Sequence, residues 1–302
     1  MDKSKFEFMT RVLDIIYLVI MVVVTQILSL PQILLGFLSL PLLIIIPYRV
    51  GLAVTFMLEK LHIGFHYSSK LFDVFLQWCL GVLILFFVTA TLSYFSLFDV
   101  RWLIVFVFVM VSISIPSFSS LTKCCSKLGL NSFVYLVLVN GFVVVLILRF
   151  YSFPPPFQPG WDFFAEMSMY NKICYDNFFS VNTVDYSATI RFDFKSPVFP
   201  LIEGVVSLLL GVDFLTLCWT LPFMMVPLFG VFIYTMTMKM TGNKVASSLA
   251  GTFAVWTGDF SRPSQILPQQ TAIAVVMIPL VIAIVWQEYK KQEMNTFPKL
   301  IV

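Results

Sequence analysis

The feature that most constrains this chain is a succession of long apolar runs with almost no charge inside them. The first run, VLDIIYLVIMVVVTQILSL, occupies 12–30, and similar runs follow at 32–48, 72–97, 101–119 and 131–150. A helix needs about 20 apolar residues to cross the hydrocarbon core of a bilayer. Only 12% of the residues are charged, against about 25% in soluble domains. The sequence therefore predicts an all-α polytopic integral membrane protein.

A polar stretch, 151–197, separates these runs from a second group. The second group consists of 198–212, 214–238, 245–258 and 269–287. The predicted organisation is a five-helix membrane region (1–150), an extracytoplasmic loop with interfacial helices (151–213) and a three-helix membrane region (214–302). The chain ends in NTFPKLIV, which is typical of the start of a ninth span. We therefore expect the N-terminal portion of a longer protein, with a complete protein and a loose tail as the alternative.

Lysines and arginines set the predicted orientation, because cytoplasmic loops carry an excess of them. Basic residues precede the first run, so the N-terminus is placed in the cytoplasm, and Arg49 and Lys60 then fall on the same side. If 198–212 lies on the outer surface or dips in and returns, Lys239 and Lys244 are cytoplasmic as well. We therefore predict about eight transmembrane helices in the cell (plasma) membrane. The long loop is extracytoplasmic and bears juxtamembrane helices.

Composition also excludes several kinds of site. The net charge is only +3 and the basic residues are scattered, so no nucleic-acid partner is predicted. The two histidines, His62 and His66, could bind a metal on a helix, but a membrane-surface loop is favoured because no third ligand is near. The five cysteines show neither a metal-binding spacing nor a disulfide framework.

The outer loop contains two carboxylates among aromatic residues, in the segment QPGWDFFAEMSMYNKICY. Pro159 and Gly160 break the chain just before a short predicted interfacial helix. On that helix Asp162 and Glu166 are four residues apart and share a face. Such a pair could hold a divalent cation or accept a proton. The alternative is structural, with Asp162 capping the helix and Glu166 solvated.

Four segments together resemble the GT-C class of polytopic glycosyltransferases, and more closely an archaeal membrane-protein group of that type with extra N-terminal helices. They are LLGFLSLPLLIIIPYRVG (34–51), PGWDFFAEM (159–167), SPVFPLIEGVVSLLLGVD (196–213) and GDFSRPSQILPQQTA (258–272). The resemblance implies transfer of a sugar from a polyprenyl-phosphate-linked donor to an acceptor on the extracytoplasmic side. The sequence does not identify the sugar or the acceptor.

The resemblance also implies roles for the acids. Asp162 matches the first-loop aspartate of the class, a general base or metal ligand, and Glu166 is a weaker catalytic helper. Part of the class has two adjacent acids, whereas here Phe163 follows Asp162, so that part of the pattern is not met. Asp259 is expected to be the second-loop acid. Asp162 and Asp259 could then hold a divalent cation, Mg or Mn.

Three basic residues are the candidates for binding the donor phosphate of the sugar lipid. Arg262 is the first, because a guanidinium pairs with phosphate through a planar fork. Lys172 and Arg191 are the others, and solvated loop charges are the alternative for both.

Two other functions stay open. A transporter or flippase should place charged or polar groups along a path within its spans, yet Asn140 is the main polar residue deep in one. A non-catalytic membrane scaffold would not depend on Asp162. Membrane lipids are expected partners under all three functions.

Overall fold

The computed structural model of the chain is all helical in the part that it describes. Seven α-helices are present and no strand occurs within that part. The helices are α1 (Lys3–Ile27), α2 (Gln32–Lys60), α3 (Lys70–Tyr94), α4 (Val100–Ser114), α5 (Val198–Leu210), α6 (Pro222–Thr241) and α7 (Lys244–Thr257). The described residues are 3–28, 30–61, 70–94, 99–115, 198–213, 216–217, 220 and 222–257.

Each of these helices falls on one of the apolar runs predicted from the sequence. The predicted run 32–48 is too short, because α2 continues to Lys60. Helix α1 begins at Lys3, well before the predicted start of its run. The runs 131–150 and 269–287 lie outside the described residues.

One segment of α2, Gln32–Leu58, is long and apolar enough to cross a membrane. This finding rests on length and composition alone, and a core helix of a soluble protein passes the same test. Shorter apolar segments lie in α1, α3 and α4, at Leu13–Thr25, Val74–Val88 and Arg101–Ser114. Within the described part of the chain, α2 is thus the one helix that is both long enough and apolar enough to span a bilayer.

Helix α2 contains two prolines, Pro41 and Pro47, and still continues without a break. A proline has no N–H, so Pro47 leaves the carbonyl of Leu43 without its usual helical partner. The indole Nε1 of Trp78, on α3, donates a hydrogen bond to that carbonyl at 3.4 Å. A side chain of the neighbouring helix thus satisfies the backbone group that the proline releases.

Helices α2 and α3 share the most extensive contact among the described helices. Their backbones touch where Gly51 faces Gly81. A Cβ atom added at Gly51 would lie 1.7 Å from the carbonyl oxygen of Gln77, and one at Gly81 would lie 1.7 Å from that of Pro47. Only glycine fits at either position. Because Pro47 meets Gly81 while Gly51 meets Gln77, the two helices run antiparallel.

Side-chain burial centres on α2. Its residues Leu42, Ile46, Val50 and Ala53 are fully buried against the surrounding helices. The outward faces of other helices are also apolar. Ile27 on α1 is 73% exposed, Trp102 on α4 is 63% exposed and Val245 on α7 is 69% exposed.

Helix α5 packs against α1, α2, α3 and α4, and buries Val205 and Val206. The turn that follows it is fixed to the start of α2. The side chain of Gln32 accepts a hydrogen bond from the backbone N–H of Asp213 at 2.9 Å and donates to the carbonyl of Gly211 at 3.4 Å. The C-terminal end of α5 therefore lies beside the N-terminal end of α2.

Helices α6 and α7 form a tight hairpin. Gly242 has φ +68°, a conformation that glycine adopts without strain, and it ends α6. The side chain of Asn243 then caps α7 by accepting hydrogen bonds from the N–H groups of Val245 and Ala246 at 2.9 and 3.2 Å. The hairpin meets α3 through an edge-to-face pair, Phe75 and Phe232, whose centroids are 5.3 Å apart.

Candidate functional site

The site residues predicted from the sequence all lie outside the described residues. They belong to the segments 116–197 and 258–302. These residues are Asp162, Glu166, Lys172, Arg191, Asp259 and Arg262. The structure neither brings them together nor separates them, so their roles stay predictions.

A different polar site lies inside the helical bundle. The guanidinium of Arg49, on α2, is completely buried and forms an ion pair with Asp14, on α1. Its Nε donates to Asp14 Oδ2 at 2.5 Å, and its Nη2 donates to Asp14 Oδ1. Its Nη1 donates to Ser114 Oγ, on α4, at 3.2 Å. We call Asp14, Arg49 and Ser114 the ionic cluster, which joins three helices.

The end of α4 adds to the electrostatics of the ionic cluster. Ser114 is the last residue of this helix, and its hydroxyl donates to the carbonyl of Val111 at 2.6 Å. The carbonyl end of a helix carries partial negative charge. The guanidinium of Arg49 therefore lies beside the full negative charge of Asp14 and the partial negative charge at the end of α4. Two of its nitrogens donate to the two oxygens of Asp14, a geometry that suits a guanidinium rather than an ammonium.

The position of Arg49 refines a sequence-based prediction. The run 32–48 was expected to end before Arg49, whereas α2 continues through it to Lys60. Arg49 lies 17 residues beyond Gln32, which is about 26 Å along the helix axis, with Lys60 about 16 Å further on, and the cytoplasmic placement of Arg49 stays a prediction. Arg49 is enclosed because Asp14 and Ser114 neutralise it and bind its donors.

The sequence carried a signal for this pair that we did not use. Asp14 is the only charged residue in the run 12–30, and Arg49 is followed by another apolar segment in the same helix. Charges enclosed by apolar residues in two neighbouring helices are expected to pair, because an isolated charge is costly in a membrane interior.

The ionic cluster is built to hold helices together. Three nitrogens of the Arg49 guanidinium donate to side chains of α1 and α4, so the cluster links these two helices to α2. Asp14 is mostly enclosed, with a 15% exposed side chain, and both of its oxygens accept from Arg49. Among the residues that the structure describes, no group of three or more His, Cys, Asp or Glu could hold a metal ion.

A second polar side chain is buried between the helices. Gln77, on α3, is 8% exposed, and its Oε1 has no hydrogen-bond partner among the described residues. A buried amide oxygen without a partner costs about 1–3 kcal/mol. A water molecule or a side chain outside the described part could therefore bind there with a gain in stability.

Comparisons with known proteins leave the family open. No known protein family, curated protein or solved structure matches the chain. The resemblance to GT-C glycosyltransferases thus rests on the four quoted segments alone.

Proposed function

We propose that this chain is a multi-pass membrane protein whose described helices form the membrane-embedded bundle. The observation that supports this most directly is the distribution of polarity. Large apolar side chains cover the outer faces of α1, α4 and α7, while the charges of Arg49 and Asp14 are enclosed within the bundle. A bilayer favours this arrangement, because it solvates apolar surface and excludes unpaired charge.

The proposed eight-span topology is supported by which helix ends lie side by side in the bundle. The turn at Asp213 lies beside Gln32, at one end of α2. Thr216 and Thr220 then pack against Gly36, so the chain proceeds along α2 away from that end. The short α6–α7 hairpin puts Lys239 and Lys244 close together on the chain at one end of both helices. Under the proposal, that end and Lys60 face the cytoplasm.

The packing of α5 favours one of the two placements considered for it. Helix α5 contacts four other helices, and Val206 is fully buried. A helix lying on the outer surface would contact mainly the ends of its neighbours. We therefore propose that α5 dips into the bundle and ends at the outer side, beside Gln32.

We further propose that the chain carries, or forms part of, a glycosyltransferase that uses a polyprenyl-phosphate-linked sugar on the extracytoplasmic side. This activity rests on the motif PGWDFFAEM (159–167) and its order relative to the other resembling segments. Asp162 would serve as a general base or cation ligand, with Glu166 assisting. Arg262 would pair with the donor phosphate, whose leaving group carries charge that needs stabilisation. Asp259 would supply a second carboxylate.

The activity is tested on the purified protein, in the longest native form, by native mass spectrometry of co-purifying lipids. The proposal expects a polyprenyl phosphate or its glycosylated form, and expects Arg262→Ala to reduce its occupancy. Asp162→Asn should retain the lipid and abolish sugar transfer, whereas Asp176→Asn, a matched change in the same loop, should preserve it. Recovery of bulk phospholipid only, unaffected by Arg262→Ala, would remove the glycosyltransferase proposal.

The topology is tested separately. Single cysteines are introduced as Asp185→Cys and Met240→Cys in a variant whose native cysteines are replaced by serine. An impermeant thiol reagent applied to intact cells should label position 185 and not position 240. Labelling of position 240 from outside would contradict the eight-span arrangement.

The ionic cluster gives specific support to one alternative, a transporter or flippase. Ionisable residues within a bundle often mark a path for ions or polar substrates. Asp14 and Arg49 form such a pair, which the sequence-based comparison of functions had not recognised. A transporter would lose substrate movement in Asp14→Asn while tolerating Asp162→Asn. A glycosyltransferase would show the opposite pattern, provided that the Asp14→Asn protein stays folded.

A further inference from the structure

Helix α1 is held to the bundle by little apolar packing. Its contacts with α2 and α5 are far less extensive than those between α2 and α3. Among the side chains described between Leu13 and Ile27, Leu18 and Met21 are buried in the core, and Ile15, Tyr17 and Val22 pack against it only partly buried. The opposite face of this part of α1 is exposed, at Leu13, Ile16, Val19, Ile20, Val23 and Ile27.

Polar bonds compensate for this weak packing. The carboxylate of Asp14 pairs with Arg49, and the hydroxyl of Tyr17 donates to the backbone carbonyl of Leu38. Both bonds fasten α1 to α2, and both lie on the side of α1 that faces the bundle. In a membrane, apolar packing alone gives little preference for protein over lipid, so such bonds decide whether a peripheral helix stays docked.

Helix α1 also touches α5, whose other neighbours are α2, α3 and α4. We propose that α1 is a detachable helix that the Asp14–Arg49 ion pair holds against α2. In this docked position α1 keeps α5 packed in the bundle, and we therefore call α1 the clasp. Opening the ion pair frees α1 and loosens α5, while the α6–α7 hairpin keeps its structure. The proposal rests on contacts within the described helices and does not require glycosyl transfer.

The location of the ion pair makes release physically accessible. Arg49 lies about 26 Å along α2 from Gln32, so in a hydrocarbon core of about 30 Å it is close to the far interface. When α1 leaves, Ser114 and the carbonyl end of α4 remain beside the guanidinium. Water or a lipid phosphate can then replace Asp14, since guanidinium groups bind phosphate well. At mid-bilayer the same opening would leave a bare charge in hydrocarbon.

The clasp is tested by hydrogen–deuterium exchange of the full chain in lipid nanodiscs, read separately for peptides of α1, α5 and the α6–α7 hairpin. Breaking the ion pair with Asp14→Leu should raise exchange in α1 and α5 at least about tenfold, the change that accompanies a 1.4 kcal/mol shift in an opening equilibrium. Exchange in α6 and α7 should stay at the wild-type level. Val19→Ala, on the exposed face of α1, is the matched control and should change none of these helices.

A milder variant keeps the test decisive if Asp14→Leu does not fold. Tyr17→Phe removes only the hydrogen bond to Leu38, and should raise exchange in the same two helices about threefold, within the range for one hydrogen bond. Faster exchange of α1 without any change in α5 would overturn the clasp. Equal acceleration of all the described helices would also overturn it, because the pair would then support the whole bundle.

Discussion

The Asp14–Arg49 ion pair provides a quantitative test of the helical packing. We consider Asp14→Leu, Arg49→Met and the double variant that carries both changes. Two unit charges about 4 Å apart attract by about 4 kcal/mol at an effective dielectric constant of about 20. Removing one partner of a buried pair costs about 3–5 kcal/mol, because the remaining charge loses its compensation.

The two single variants should differ in a direction that the structure sets. Asp14→Leu leaves a guanidinium that is fully buried, so its loss of unfolding free energy should lie near the upper end of that range. Arg49→Met leaves a carboxylate that is 15% exposed and so partly solvated, and its loss should be smaller. The double variant removes both charges, and should lose only about 1 kcal/mol, because apolar replacements of buried pairs are often nearly neutral.

These free energies are measured by titrating the purified protein from mild detergent into sodium dodecyl sulfate and following the loss of helical circular dichroism, a signal that does not depend on any tryptophan. We expect a coupling energy between the two changes of at least about 2 kcal/mol. Arg101→Met, at an exposed arginine of α4, is the control and should stay within about 0.5 kcal/mol of wild type. Additive losses from the two single variants would refute the proposed pairing of charges.

Three further predictions use the same unfolding assay. Trp78→Phe should cost about 1–3 kcal/mol, because it removes the donor that satisfies the Leu43 carbonyl, whereas Trp102→Phe at an exposed position should be nearly neutral; equal effects would contradict that hydrogen bond. Gly81→Ala should cost about 3 kcal/mol or more, because its Cβ would overlap a carbonyl oxygen of α2, and an unchanged midpoint would mean that the helices are further apart. Asn243→Ala should cost about 1 kcal/mol through loss of the α7 cap, while Asn243→Asp should retain it, and a similar loss in both would argue against capping.

Apolar runs predicted the positions of the described helices, but they did not predict which charges those helices enclose. The second predicted run, 32–48, stops before Arg49 because the run was defined by the absence of charge. The sequence alone does not distinguish a charge at the end of a helix from a charge inside one. The difference arises from the partners Asp14 and Ser114, which come from distant parts of the sequence. The effect of Pro47 was equally hard to predict. The residue that bonds the carbonyl freed by Pro47 is Trp78, which belongs to the next helix. Asp162 and the other predicted site residues lie outside the described part, so their arrangement stays a sequence-based prediction.

The hydrogen bond from Trp78 to the Leu43 carbonyl also bears on the order in which the chain can assemble. Under the proposed membrane topology, α2 entering a bilayer alone would leave the Leu43 carbonyl, freed by Pro47, facing hydrocarbon, and such a group costs several kcal/mol there. The cost disappears only when α3 arrives, so we expect α2 to remain beside the insertion machinery until its successor is made. Halted chains in which α2 alone has left the ribosome should crosslink to that machinery more strongly than longer halted chains in which α3 has also emerged, and Pro47→Ala should abolish the difference. Helices α2 and α3 would then enter the membrane as a pair, even though α2 alone has the length and apolarity of an independent span.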